Sequence, residues 1–188
     1  MTVQIENRDN GIRIVRLTGA AASKSFSRES LPIIAQAIDD GLSDQSVRAM
    51  IITGDGKFFS AGADIHAFQE AIDANDAPQL IRDLTNILHP LLIRIRQSST
   101  IVVGAINGAA AGGGLGLALA CDVRIGSPKA KLAASYASIG LSPDGGTTWL
   151  LPRLVGEHVS RRFFFENQIW SAEEALGAGA LDEVVEAD

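Results

Sequence analysis

The run from Thr100 to Asp122 constrains this chain more than any other stretch. Thr100 to Ile106 is apolar and β-prone, Asn107 to Gly114 is small and dense in glycine, and Leu115 to Cys121 is apolar with helical composition. That order reads as strand, loop, helix. The adjacent Gly112, Gly113 and Gly114 admit φ values closed to other residues and let the backbone come close to a ligand. A helix that begins there offers N–H groups with no intrahelical acceptor and the positive end of its dipole. In outline this is an anion or oxyanion site, although tight helix packing through small residues would account for the same glycines. It is not a phosphate loop, because no Lys-Ser or Lys-Thr follows, and Gly114-Leu115-Gly116 lacks the third glycine of a dinucleotide fingerprint.

Length and composition narrow the classes. At 188 residues the chain suits a single domain, taken here as 1–188. A hydrophobic share of 46% with only 5% aromatic points to a core of Ile, Leu, Val and Ala, as in α/β proteins. The net charge of −6 argues against nucleic acid as a partner. Lone Cys121 excludes an internal disulfide and a cysteine-based metal cluster, and no metal site is expected. Met1 to Glu6 has neither a basic start nor an apolar signal core, and no run reaches membrane-spanning length. The expectation is a soluble, cytoplasmic protein without a membrane partner.

Along the chain, Val3–Asn7 and Ile12–Leu17 flank Asp9-Asn10-Gly11 and predict a β-hairpin. Ser27 is placed to cap a helix whose apolar face is Leu31, Ile34, Ala35, Ile38 and Leu42. Val47–Thr53 reads as a short buried strand. Phe58 to Asp64 is a second small-residue loop that feeds helical Ile65-His66-Ala67-Phe68, so a strand, a glycine-bearing loop and a helix follow one another twice. Asp76-Ala77-Pro78 supplies a cap residue and an early proline for the longest helix, with Leu80, Leu84, Leu88, Leu91 and Ile95 in a stripe expected to pack on the sheet. His89 beside that stripe reads as structural. Asp122–Gly126 is another strand and Lys131–Ala134 begins one more, followed by the turn Gly140–Gly146 and helices over Thr147–Gly156 and Glu157–Glu166. Ser171-Ala172-Glu173-Glu174 has capping-box spacing, and Leu181–Val185 is a last strand. The rhythm predicts an α/β fold of stacked ββα turns.

These segments carry a resemblance. Phe59-Ser60-Ala61-Gly62-Ala63-Asp64-Ile65, Ala105-Ile106-Asn107-Gly108 with Gly112-Gly113-Gly114, Cys121-Asp122, and Gly140-Leu141-Ser142-Pro143-Asp144-Gly145-Gly146 with Leu151-Pro152-Arg153-Leu154-Val155-Gly156 resemble the crotonase superfamily of enoyl-CoA hydratases and isomerases. The resemblance runs in order along the whole chain and implies a crotonase-like ββα superhelix acting on coenzyme A thioesters, with no separate cofactor. The family's shared chemistry is stabilisation of a thioester enolate by two backbone N–H groups. The resemblance puts these on Ala63 and Gly113. It places Ala22, Lys24, Ala61, Asp64, Ile65, Gly112 and Tyr136 along the substrate path, with Lys24 either a phosphate contact or a solvated lysine. Family members usually continue through further helices that cover the acyl pocket and help form trimers or hexamers; this sequence stops at Asp188, so that extension is expected to be missing. A homo-oligomer is expected if the short C-terminus permits.

The departures bear on the reaction. Hydratases of the family carry two glutamates, at positions held here by Gly116 and Tyr136, so ordinary hydration of a 2-enoyl thioester is disfavoured. Asp144 stands where several isomerases and the aromatic thioester dehalogenases have an acid. A single carboxylate suffices for a 1,3-proton shift, and enoyl-CoA isomerisation is the expected activity. Alternatives are a hydratase, a dehalogenase or a catalytically silent acyl-CoA binder. In the plainer readings, Asp144 is a helix N-cap, Tyr136 a satisfied core tyrosine and Trp149 a packing residue. No Gly-x-Ser-x-Gly elbow is present, against a serine nucleophile.

Overall fold

The computed structural model describes residues 2–19 and 26–186. The chain opens with the expected hairpin: β1 (Val3–Arg8) pairs antiparallel with β2 (Ile12–Leu17), and Asn10 and Gly11 take φ of 68° and 75° in the turn. Helix α1 (Ser30–Ser43) buries Leu31, Ile34, Ala35 and Ile38, the face expected from their spacing. Ser27, expected as its cap, lies three residues ahead of it with Oγ accepting the Ser30 N–H at 3.0 Å, while the N-cap position is held by Glu29, which makes no side-chain cap bond.

From there the backbone winds through repeated turns. Strands β3 (Ala49–Thr53), β5 (Ile101–Ile106) and β7 (Val123–Gly126) join β2 in a parallel array, with β1 on one edge and β10 (Glu183–Val184) on the other. Each is followed by a three-residue strand that leaves this sheet for a second one: β4 (Phe58–Ser60), β6 (Ala109–Ala111) and β8 (Lys131–Ala133), completed by β9 (Ile169–Ser171). Every pass therefore sends one strand to each sheet, which is the stacked ββα superhelix. The segments expected as loops at Phe58–Asp64 and Asn107–Gly114 each contain one of these short strands. Three residues carry no readable periodicity, and they become strands because β4 and β6 pair with each other.

The helices are α2 (Ile65–Asp73), α3 (Ala77–Gln97), α4 (Gly113–Ala120), α5 (Thr147–Val155), α6 (Glu157–Phe165) and α7 (Ala172–Ala178). The capping box at α7 forms in both directions, Ser171 Oγ accepting from Glu174 N and Ser171 N donating to Glu174 Oε2. Two expectations change. The α3 stripe packs chiefly on α1, α2 and α4 rather than on the sheet. Asp76, expected to cap α3, makes no side-chain cap and instead pairs with Arg28 at 2.7 Å, while Arg28 Nε also holds Asp83 at 2.8 Å and so ties the start of α1 to α3. Helix α4 is buried nearly all round, through Leu115, Leu117, Ala118 and Leu119, which is why its sequence shows no polar face. Among the described residues no helix is long and apolar enough to cross a membrane.

Candidate active site

Parallel pairing of β4 with β6 sets up the site. Phe58 lies opposite Ala109 and Ser60 opposite Ala110, so the two chains leave the second sheet side by side. One continues as Ala61-Gly62-Ala63 and the other as Gly112-Gly113. Asn107 holds the approach to both: its amide donates to the Gly56 and Phe58 carbonyls at 3.2 and 3.1 Å, and its Oδ1 accepts the Gly54 N–H at 2.9 Å.

The glycines are required here for reasons of contact. Gly62 has φ of 75°, and a Cβ on it would sit 2.5 Å from the Ala111 carbonyl oxygen and 3.1 Å from Gly113 N. A Cβ on Gly113 would strike the Phe26 ring at 2.4 Å, and one on Gly114 would strike the Ser60 carbonyl oxygen at 2.3 Å. Gly112, at φ of 51°, faces open space. The packing reading of the glycine run holds: close contact draws α4 against β4 and Phe26, and this packing brings Gly113 up to the Ala63 loop. Ala63 bridges Phe26, whose N–H donates to the Gly62 carbonyl at 3.2 Å. Among the described residues neither the Ala63 N–H nor the Gly113 N–H has a hydrogen-bond partner. Gly113 is the first residue of α4, where intrahelical acceptors are lacking.

Ala63 and Gly113 both line a cavity of about 340 Å³. Ala61, Ile65, Gly112, Tyr136 and Asp144 line it as well, so most of the residues singled out from sequence converge. Asp64 does not line it: its carboxylate accepts the His66 N–H at 3.0 Å and caps α2. Ala22 and Lys24 lie outside the described residues. Sequence reasoning missed Phe26, Phe68, Ile81, Leu84 and Leu88, which form much of the apolar wall. Ile81, Leu84 and Leu88 keep helical spacing, but the pattern that buries one edge of a helix against a neighbour is the same one that lines a cavity with it.

Asp144 is the one carboxylate among the described residues lining the cavity. It is not a cap, since α5 has Gly146 at that position and no side-chain cap bond. Its backbone carbonyl accepts from Thr147 N at 3.0 Å, Thr147 Oγ at 2.8 Å and the Tyr136 hydroxyl at 3.3 Å. Burial pushes the Asp144 carboxyl above its ordinary value, opposed by the charge of His89 and by the nearby Tyr136 hydroxyl. His89 is thus exposed on α3 but electrostatically felt at the site, which the structural reading of it did not foresee. Burial, with the Asp144 charge beside it, holds the Tyr136 phenol well above its usual range, so it stays a neutral donor. Trp149 is neither core nor wall. It is 55% exposed, with the Arg153 guanidinium stacked 3.7 Å above its ring. Cys121 is fully buried and its thiol is pushed up to about 12, which removes it as a nucleophile. Among the described residues no His, Cys, Asp and Glu cluster could hold a metal ion.

The absence of a side chain at 116 has a structural cause. A Cβ there would lie 2.3 Å from the Gly145 carbonyl oxygen and 3.1 Å from the Gly145 carbonyl carbon. The turn carrying Asp144 fills the space a glutamate would need. The same turn places Gly145 over Gly113, with 3.6 Å between an ideal Gly145 Cβ and Gly113 Cα, and Asp144 and Gly113 line the same cavity.

The sequence profile of enoyl-CoA hydratases/isomerases matches residues 7–188. The chain belongs to the enoyl-CoA hydratase/isomerase family. It is 33% identical over 171 residues to a Mycobacterium tuberculosis protein named "Probable enoyl-CoA hydratase echA14", covering 91% of this chain and 65% of that one. It is 31% identical over 180 residues to the trans-2-decenoyl-[acyl-carrier-protein] isomerase of Streptococcus mutans, covering 96% and 68%. Among solved structures, the enoyl-CoA hydratase from Bacillus halodurans superposes with a TM-score of 0.90 at 26% identity, over 100% of this chain and 74% of that one. The chain thus spans a little under two thirds of the mycobacterial relative. Relatives named for different reactions match it about equally well, so likeness fixes the crotonase fold and the family and leaves the reaction to the site.

Proposed function

We propose that this family member binds an acyl-CoA thioester in the cavity and isomerises its double bond, with Asp144 carrying the proton. The observation that supports this best is the seating of the Asp144 turn on Gly116: one carboxylate lines the cavity that Ala63 and Gly113 also line, and no second carboxylate lines it among the described residues. In this reading the thioester oxygen of a 3-enoyl substrate accepts from Ala63 N and Gly113 N. The Asp144 carboxylate removes a proton from C2, and the C–H electron pair moves through C1 onto the oxygen. The two N–H groups meet that charge where it forms, an arrangement in which loss of one donor costs about 10²–10³ in rate. The electrons return through C2 and C3, the double bond moves to C2–C3, and the same carboxyl group delivers the proton to C4. A carboxyl raised by burial suits this task, since it must both take and give the proton near neutral pH.

The test is to follow isomerisation of a 3-enoyl-CoA and hydration of a 2-enoyl-CoA with wild type and Asp144→Asn. Isomerisation abolished by the substitution, with no hydration from either protein, is the expected result. Thioester binding without turnover of either compound would overturn the isomerase reading in favour of a silent binder, and hydration by the wild type would overturn it in favour of a hydratase.

A further inference from the structure

We infer that Tyr136 is a positioning residue that aims the Asp144 carboxylate, acting through Asp144 rather than on the substrate; this rests on the reading of Asp144 as the proton carrier. Tyr136 holds the segment that carries Asp144 from both ends. Its carbonyl accepts the Ile139 and Leu141 N–H groups, each at 3.1 Å, and its hydroxyl crosses the segment to donate to the Asp144 carbonyl at 3.3 Å. The ring that carries this hydroxyl is only 5% exposed and packs against Phe164 at a centroid distance of 6.4 Å, so the donor is delivered from a fixed place. The turn it steadies needs such support, because Gly145 and Gly146 follow directly with φ of 55° and 72°. Thr147 grips the same carbonyl from the far side. The position that holds an acid in hydratases of the family here supplies a hydrogen-bond donor directed at the main-chain carbonyl of the remaining acid.

Charged and titratable groups reach Asp144 from two directions among the described residues: Tyr136 across the segment and His89 from α3. Both favour the anion. Removing only the hydroxyl leaves His89 in place, so a change in the ionisation of Asp144 reports on Tyr136.

The experiment compares Tyr136→Phe with wild type and Asp144→Asn. It reads kcat and KM for the 3-enoyl-CoA, the pH profile of kcat/KM, and the ¹³C carboxyl titration of Asp144. The ring and its packing survive in the phenylalanine variant, and its fold is checked by its melt. Expected are a drop in kcat of about threefold to tenfold, the range for one neutral hydrogen bond, an unchanged KM, and an acid limb and ¹³C midpoint both moved to higher pH. A raised KM at unchanged kcat would overturn positioning in favour of a substrate contact. Unchanged kinetics and an unchanged midpoint would overturn it outright. Full activity in Asp144→Asn would overturn both readings, whereas loss there with an unaltered Tyr136→Phe would overturn the positioning role alone. If the wild type turned over none of this substrate, the ¹³C midpoint would still decide: movement in Tyr136→Phe supports the coupling, and no movement overturns it.

Discussion

Substituting Gly116 by alanine adds one methyl group, yet the structure gives that methyl no room. Its carbon would lie 2.3 Å from the Gly145 carbonyl oxygen and 3.1 Å from its carbonyl carbon, where ordinary contact begins near 3.4 Å. Both partners are main chain, and α4 beneath is buried in the core, so the outer turn must give way by roughly 1 Å; forced overpacking of this kind costs about 1–3 kcal/mol. Asp144 is joined directly to the displaced residue. Misplacing a catalytic group by about 1 Å can cost about 10²-fold in rate. Gly116→Ala is therefore expected to lose about 1–3 kcal/mol in a urea melt and about a hundredfold in isomerisation kcat, with hydration still absent. Gly116→Glu, which restores a hydratase-type carboxylate by sequence, should be worse on both counts rather than a gain of function. Wild-type stability and turnover in Gly116→Ala would refute the contact, and with it the account of why position 116 bears no side chain.

Asp144→Asn should also change stability in a pH-dependent way. A carboxyl whose folded pKa is raised binds its proton more tightly in the folded state, so its favourable contribution is complete below the unfolded value near 3.8 and is lost as pH rises through the folded value. The asparagine variant is accordingly expected to melt higher than wild type at neutral pH, with the advantage fading toward acid; a melt difference independent of pH would contradict burial as the cause. Asn107→Ala removes the amide that joins Gly54, Gly56 and Phe58 to the end of β5 and is expected to cost about 1–3 kcal/mol. Its activity should fall as well, since β4 then loses its hold; an unaltered denaturation midpoint would argue against the clamp.

Much of the framework could be read from local sequence. The hairpin at Asn10-Gly11, the apolar face of α1, the long α3 and the capping box at Ser171 each rest on residues within a few positions of one another, where backbone preference and periodicity act. The glycine run at 112–114 marked a close-approach site for the same reason, and the order of motifs pointed to the family. What local sequence could not decide was everything that depends on pairing across the chain. Strands β4 and β6 are too short to announce themselves and exist because each satisfies the other's backbone groups. Asp76 and Asp64 look alike as cap residues, yet only Asp64 caps, because Arg28 reaches Asp76 first. Asp144 reads from sequence as either a cap or a catalytic acid, and it is the packing of its turn on Gly116 that leaves it in the cavity lining rather than as a cap. Helix and hairpin signals are short-range and survive in one dimension. The environment of a carboxylate is set by groups beyond its own turn, His89 on α3 and Tyr136 eight residues before Asp144, and only the packed chain brings these to one place.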